Sequence, residues 1–188
     1  ANVRMGRVAV VYGCGQIGLG VVAFCARRGA VTVAVDISDD RLAIATKMGA
    51  DKVINGATQD VLAELRTIAP QGGDVVFEAT GIPACIDPAI QLAAPSATFV
   101  MQGNYGAEPI SFHFLPPHGK RLTWVYPCDD GLAPCRRAVM KNLSLNALDW
   151  RPVVTHRVQA QDVAEFYTAI NRGEANDVVG AVVNWETI

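Results

Sequence analysis

A glycine-rich turn between an apolar strand and a helix is the feature that most constrains the fold of this chain. A first apolar run ends in the pattern Gly13-x-Gly15-x-x-Gly18, and helix-forming residues follow at once. A second apolar run, residues 31–35, then stops at Asp36. A strand, a glycine turn, a helix, a second strand and a terminal acid within about 30 residues predict one unit of a parallel α/β sheet.

Each glycine of this turn has an expected role beside a bound dinucleotide. Gly13 permits the tight turn, Gly15 lets the backbone approach a pyrophosphate, and Gly18 lets the helix pack close to the sheet. The phosphates are expected at the helix N-terminus, where free N–H groups and the helix dipole attract anions. Asp36 is expected to accept hydrogen bonds from the two hydroxyls of an adenosine ribose. The unit as a whole favours a dinucleotide site over an accidental glycine turn.

Composition excludes several classes of protein. The chain has 188 residues, 51% of them hydrophobic, which is enough for one sizeable core. A net charge of −2 without a basic block argues against nucleic-acid binding, and no uncharged apolar stretch reaches the roughly 18 residues of a membrane span. The first residues do not read as a signal peptide. The five cysteines are an odd number and form no C-x-x-C pair: Cys14, Cys25, Cys85, Cys128 and Cys135. This pattern favours a cytoplasmic protein without disulfides or a zinc site.

Alternating apolar strands and helices predict a doubly wound, six-stranded parallel sheet, the Rossmann fold, with helices on both faces. Strands are expected at residues 7–12, 31–35, 52–55, 74–78, 98–102 and 122–126. Further helices are expected near residues 60–69, 83–93, 133–143 and 162–171, and a last strand at 178–184. This pattern predicts a doubly wound domain over residues 1–128 and a tail over 129–188, whose apolar surface exceeds what an appendage needs.

The chain resembles the medium-chain dehydrogenase/reductase family, the zinc-type alcohol, sorbitol and threonine dehydrogenases. The segments that carry the resemblance are GCGQIGLG (13–20), VDISDDRLAIATKMGADKVIN (35–55), DVVFEATG (74–81), VVTHRV (153–158) and DVAEFYTAINRGEANDVVGAVVNW (162–185). The resemblance covers only the second half of such enzymes. It implies that a GroES-like catalytic domain precedes this half, that zinc is held only in that absent N-terminal domain, and that the tail returns to complete it.

The resemblance also implies which residues surround NAD. These are Gly13, Gly15, Gln16, Ile17, Gly18, Asp36, Arg41, Ala79, Thr80, Gly81, Gln102, Gly103, Tyr126 and Cys128. Gln16 and Ile17 offer backbone N–H groups to the pyrophosphate, and Arg41 flanks the ribose. Residues 79–81 edge the adenosine, whereas residues 102–103 and 126–128 face the nicotinamide. Family members often place Lys or Arg near residues 179–180, where this chain has none, so a second phosphate anchor is not expected.

Several residues permit two interpretations. Cys14 is either a redox switch or a small residue that fits the turn, and we favour the small residue. His113 and His118 are a candidate metal pair, but ordinary loop histidines are the better hypothesis because zinc needs three or four convergent ligands. Glu78, at the end of a strand, is either a general base or a structural acceptor of loop N–H groups, and we favour the structural role.

Three functions remain open at this point. The first is the NAD(H)-binding domain of an alcohol or polyol dehydrogenase, which binds and orients the cofactor but supplies no catalytic residue of its own. The second is a non-catalytic nucleotide-sensing module, and the third is a methyltransferase, whose sheet also places an acid after its second strand. The strand at 122–126 would be an uncovered edge and predicts a homodimer through that strand. No nucleic acid or membrane partner is expected.

Overall fold

The larger sheet is entirely parallel. The structure, a computed structural model, describes residues 1–127 and 133–186. Its strands are β1 (Val8–Tyr12), β2 (Val31–Asp36), β3 (Lys52–Asn55), β4 (Gly73–Glu78), β5 (Ala93–Met101) and β6 (Thr123–Val125). They lie in the order β3-β2-β1-β4-β5-β6, so the chain crosses over from β3 to β4. The predicted doubly wound, six-stranded sheet is therefore confirmed.

Helices cover both faces of this sheet. On one face lie α1 (Gln16–Arg27) and α2 (Asp39–Lys47), and on the other lie α3 (Val61–Arg66) and α4 (Ile86–Gln91). The chain also forms α5 (Leu115–Gly119), α6 (Ala133–Ser144) and α7 (Val163–Asn171). Ser38 caps α2, since its side chain accepts a hydrogen bond from the backbone of Arg41. In the parts of the chain that the structure covers, no helix combines the length and apolarity needed to cross a membrane.

The residues after α6 form a second, smaller sheet. Its strands, β7 (Val154–Gln159) and β8 (Gly180–Asn184), pair in parallel, and the chain that connects them contains α7. Val153, just before β7, is fully buried in the same apolar cluster as α1, and the ring of Trp150 packs beside Gly20 of that helix. This segment is thus anchored on the α1 face of the sheet. The predicted boundary at residue 128 lies outside the described residues and stays a prediction.

The boundary between α4 and β5 differs from the prediction. A helix was expected over residues 83–93, but a 3-10 turn (Pro83–Cys85) leads into α4, which ends at Gln91, and Ala93 already begins β5. The helix ends early because its last carbonyls bind Lys120, a residue about 30 positions further along the chain. The Lys120 ammonium donates to the carbonyls of Ile90, Gln91 and Ala93 at 3.0, 2.8 and 2.8 Å, and thereby caps the helix end. The short helix α5, just before Lys120, was not expected either.

Lys120→Met is expected to lower the free energy of unfolding by about 1.5 kcal/mol, because three carbonyls lose a charged donor. Burial, with Arg66 nearby, lowers the pKa of Lys120, so desolvation already offsets part of the gain. Urea unfolding would measure the difference. Lys47→Met, at an exposed lysine in the last turn of α2, is the matched control and should cost less than about 0.5 kcal/mol. Equal losses in both variants would contradict the capping role.

Candidate cofactor site

The turn between β1 and α1 requires glycine at two positions. Gly13 has φ +101°, and a Cβ there would lie 2.8 Å from Thr80 Cγ2. A Cβ at Gly18 would lie 1.8 Å from the carbonyl oxygen of Gly13, because the first turn of α1 packs directly against the end of β1. The tight turn at Gly13 and the close packing at Gly18 are therefore both present in the structure.

Gly15 differs from these two glycines. Its φ of −70° and ψ of −175° are extended backbone that any residue adopts, and a Cβ there would meet nothing within 4 Å. Within residues 1–127 and 133–186, no contact therefore accounts for glycine at this position. Gly15 is the N-cap of the 12-residue helix α1, and Gln16 and Ile17 in its first turn are exposed. The first N–H groups of a helix lack intrahelical acceptors, so this end of α1 is open to an anionic ligand.

Asp36, the last residue of β2, is buried and ties the strand to the glycine turn. Its Oδ2 accepts from the backbone N–H of Cys14 at 2.7 Å. Its Oδ1 accepts from the N–H groups of Ile37 and Ser38 at 2.8 and 3.0 Å. A carboxylate has about four lone-pair positions. The structure thus leaves Asp36 room for about one further hydrogen bond, on Oδ2, where the sequence suggested two ribose hydroxyls.

Arg41, in the first turn of α2, lies on the same cleft. Its Nη2 donates to the carbonyl oxygen of Asn176 at 3.3 Å, across 135 positions of the sequence. Its Nε is buried and has no hydrogen-bond partner among the residues described. A buried donor without an acceptor costs free energy, so a ligand oxygen at this place would be stabilising.

One cleft of about 200 Å³ brings together the carboxyl ends of four strands. Of the predicted site residues, those that line it are Gly13, Gly15, Asp36, Arg41, Ala79 and Thr80. The sequence analysis missed Tyr12, Val35, Ile37, Gly56, Ile82 and Cys85, which line it as well. Their places in the sequence could have predicted them, because most of them flank the carboxyl ends of β1 to β4. In a parallel sheet these strand ends meet at one edge.

The remaining predicted residues lie around this cleft or away from it. Gln16, Ile17 and Gly18 form the first turn of α1 at its mouth. Gln102 and Gly103 follow β5, and their N–H groups donate to the carbonyl of Glu78 at 2.8 and 2.9 Å.

Tyr126, one of the predicted nicotinamide contacts, does not line the cleft in this structure. Tyr126 lies apart, on an exposed aromatic surface where its ring stacks on Trp124 at 6.1 Å between centroids. Cys128 lies outside the residues that the structure describes.

Glu78 has the structural role that we favoured. It ends β4, it is fully buried, and its Oε1 accepts from the N–H of Thr80 at 3.0 Å. The hydroxyls of Thr80 and Tyr105 also donate to its carboxylate. Burial raises the pKa of Glu78, while the hydrogen bonds from Thr80 and Gly81 oppose that shift.

Cys14 and the loop histidines also have protein partners. Cys14 is buried, and burial together with the nearby Asp36 raises the pKa of its thiol to about 12, so the reactive thiolate is absent at neutral pH. This supports the small residue over the redox switch. His113 Nδ1 pairs with Asp87 Oδ2 at 2.6 Å, and the ring of His118 stacks on Phe114. Within residues 1–127 and 133–186, no three His, Cys, Asp or Glu residues converge as metal ligands.

Comparison with known proteins assigns this geometry to a family. The family model described as zinc-binding dehydrogenase matches residues 17–127, which run from the first turn of α1 past β6. The chain belongs to the zinc-binding dehydrogenase family. The family resemblance noted in the sequence is thereby confirmed.

Individual relatives match nearly the whole chain. An alcohol dehydrogenase of Cupriavidus necator is 31% identical over 172 residues, which are 89% of this chain and 46% of that protein. The structure of 2R,3R-butanediol dehydrogenase from Bacillus subtilis has a TM-score of 0.83 at 25% identity, over 99% of this chain and 53% of that one. A short chain alcohol dehydrogenase from Escherichia coli CFT073, solved with NADH, has a TM-score of 0.78 at 25% identity, over 96% and 52%. The chain spans about half the length of the curated relatives it matches.

Proposed function

We propose that the chain is the NAD(H)-binding half of a zinc-type alcohol or polyol dehydrogenase. One observation carries the proposal: one cleft is bordered by the open N-terminus of α1, the buried Asp36 and the Nε of Arg41, which has no hydrogen-bond partner in the described part of the chain. The cleft lies at the carboxyl ends of parallel strands, where this type of sheet binds nucleotides. A relative of known structure was solved with NADH, and relatives named alcohol and butanediol dehydrogenase share the fold. These names favour a dehydrogenase over a nucleotide-sensing module or a methyltransferase.

The residues present fit NAD. The N–H groups of Gln16 and Ile17 would bind the pyrophosphate above Gly15, where no Cβ stands in the way. Asp36 Oδ2 would accept a ribose hydroxyl, and Arg41 would flank the same ribose. The adenosine would lie against residues 79–81, and the nicotinamide near residues 102–103, which follow β5. When bound, NAD supplies the hydride acceptor, and the protein groups hold and orient it.

The residues that the structure describes do not fit a zinc site, since no three potential ligands converge. We therefore assign the zinc and the alcohol or polyol substrate contacts to the half of the intact enzyme that precedes this cofactor domain. No catalytic residue is proposed in the chain itself. It is expected to bind the cofactor without turning over an alcohol.

Isothermal titration calorimetry of the 188-residue chain with NAD tests the proposal. The expected affinity is weak, micromolar to millimolar, or roughly 4 to 8 kcal/mol, because half of the binding cleft belongs to the absent domain. Absence of heat at millimolar NAD would refute the assignment of the cleft.

We also propose that the intact enzyme is a cytoplasmic homodimer that pairs through β6. This strand is the last in the sheet, and the rings of Phe112 and Trp124 stack beside it at 4.9 Å between centroids, with Tyr126 67% exposed. An unpaired edge strand with an aromatic surface favours pairing with a second copy. Light scattering at high micromolar concentration should give the mass of a dimer, and a monomer would count against the proposal. Among residues 1–127 and 133–186 the cysteines Cys14, Cys25, Cys85 and Cys135 are free thiols, which supports a reducing compartment.

A further inference from the structure

We infer that Glu78 and Tyr105 are a positioning pair that fixes one side of the cofactor cleft. The Tyr105 hydroxyl and the Thr80 hydroxyl both donate to the buried Glu78 carboxylate, which thereby joins the loop after β4 to the loop after β5. Neither residue is proposed to touch NAD. The inference rests on the proposed function, because the side of the cleft that the pair fixes is the one assigned to the adenosine.

The first half of the connection runs from Glu78 into the cleft. Glu78 Oε1 accepts from the backbone N–H and the hydroxyl of Thr80. The same Thr80 hydroxyl oxygen accepts from the N–H of Ile82 at 3.0 Å. Ala79, Thr80 and Ile82 all line the cleft. The Glu78 carboxylate therefore determines the course of the backbone that forms this side of it.

The second half of the connection reaches the neighbouring loop. Tyr105 is half-buried and donates its hydroxyl hydrogen to Oε2, the other oxygen of Glu78. The two loops also touch: a Cβ at Gly103 would lie 2.5 Å from the nitrogen of Gly81, and one at Gly81 would lie 2.7 Å from the carbonyl of Asn104. With backbones this close, a shift of the Tyr105 loop moves residues 79–82 as well.

A carboxylate at this position is costly, which argues for a specific role. Glu78 is 0% exposed, and burial is the largest influence on its pKa, which it raises. The titratable groups that face it are the Tyr105 hydroxyl from the β5 loop and Tyr12 from β1, and Tyr12 in turn lies near Asp36 and Cys85. An apolar residue would pack between the loops without this desolvation. It would not accept the hydrogen bonds that Thr80, Gly81 and Tyr105 donate.

The pair makes cofactor binding dependent on the protonation of Glu78. A protonated carboxyl gives up one acceptor position and becomes a donor, so one of the two hydroxyls can no longer donate to it and must turn to accept, which changes the geometry of the connection. Burial raises the pKa of Glu78, so this transition lies above the usual range of a glutamate. NAD affinity is therefore expected to fall on the acid side as Glu78 takes up a proton.

The experiment compares the dissociation constant of NAD for the 188-residue chain, its Tyr105→Phe variant and its Glu78→Gln variant across pH 4.5 to 8. Tyr105→Phe removes a donor to the carboxylate and should weaken binding about tenfold at neutral pH. The fall in NAD affinity at low pH, the acid limb of the profile, should also move to higher pH in this variant. The reason is that the carboxylate form of Glu78 loses a stabilising hydrogen bond. Glu78→Gln should bind weakly without the acid limb. The double variant should bind no worse than Glu78→Gln, since both changes break one connection.

Tyr167→Phe, at an exposed tyrosine on α7, is the matched control and should leave affinity and pH profile unchanged. Circular dichroism shows whether each variant is folded, and Tyr105→Phe decides the matter if Glu78→Gln does not fold. The positioning role of the pair would be overturned if Tyr105→Phe had the same affinity and the same acid limb as the wild-type chain. It would also be overturned if the acid limb persisted in folded Glu78→Gln. In both cases NAD binding itself would remain in place. If the wild-type chain itself binds no NAD, the proposed function fails first, and the inference with it.

Discussion

Gly15→Val is expected to abolish NAD binding and to leave the fold intact. The valine side chain would occupy the open space above Gly15, where we place the pyrophosphate, and binding should weaken at least about 100-fold. The fold should tolerate the change, because the backbone of Gly15 is extended and a Cβ there meets nothing within 4 Å. The cost to stability should be about 1 kcal/mol, the usual loss when a poor N-cap residue replaces a good one.

Calorimetry with NAD and thermal unfolding would measure both effects. Gly119→Val is the matched control, because a Cβ at this glycine in α5 also meets open space but lies away from the cleft. Gly18→Ala, unlike Gly15→Val, should impair folding and NAD binding together, because its Cβ would lie 1.8 Å from the carbonyl oxygen of Gly13. NAD binding that survives valine at position 15 would show that the pyrophosphate does not approach this backbone.

The parts of the fold that the sequence predicted correctly depend on local patterns. β1, the glycine turn and β2 follow from two apolar runs, three glycines and a terminal acid, all within a short segment. The N-cap at Ser38 depends on local residues in the same way, since its side chain accepts from the N–H of Arg41 three positions on. In each case the residues that fix the structure are neighbours in the sequence.

The features that the sequence did not reveal depend on partners far along the chain. The Tyr105 hydroxyl reaches Glu78 across 27 positions, and Arg41 reaches the carbonyl of Asn176 across 135. The end of α4 was misplaced because Lys120, about 30 positions away, caps it. Periodicity and propensity describe what a segment prefers, whereas these contacts exist only after the sheet has assembled.

The same limit applies to Asp36. Its place at the end of β2 was evident from the pattern, but its three backbone donors were not. They hold the carboxylate at the edge of the cleft with one free lone pair, which is the geometry that cofactor choice depends on.

Asp36 is expected to make the chain prefer NAD to NADP by about 30- to 150-fold. A 2′-phosphate would replace a hydroxyl donor with negative charge within about 4 Å of the carboxylate, a repulsion of about 4 kcal/mol per charge pair at an effective dielectric near 20. Solvent at this open cleft should reduce the penalty to about 2–3 kcal/mol. Arg41 lies on the cleft and would counteract the repulsion, whereas Arg66, at the end of α3, lies near Lys120 instead.

Asp36→Ser is therefore expected to narrow or reverse the preference, because it removes the charge and leaves Arg41 to pair with the phosphate. Asp36→Asn keeps the side-chain shape and separates the effect of charge from that of the lost backbone contacts. Arg41→Ala should weaken both cofactors modestly, and Asp40→Ser, at an exposed acid in the same helix, should change neither. Dissociation constants for NAD and NADP on each variant measure the preference. Equal affinity of the wild-type chain for the two cofactors would mean that the ribose does not lie against Asp36, and the placement of the adenosine in this cleft would be wrong.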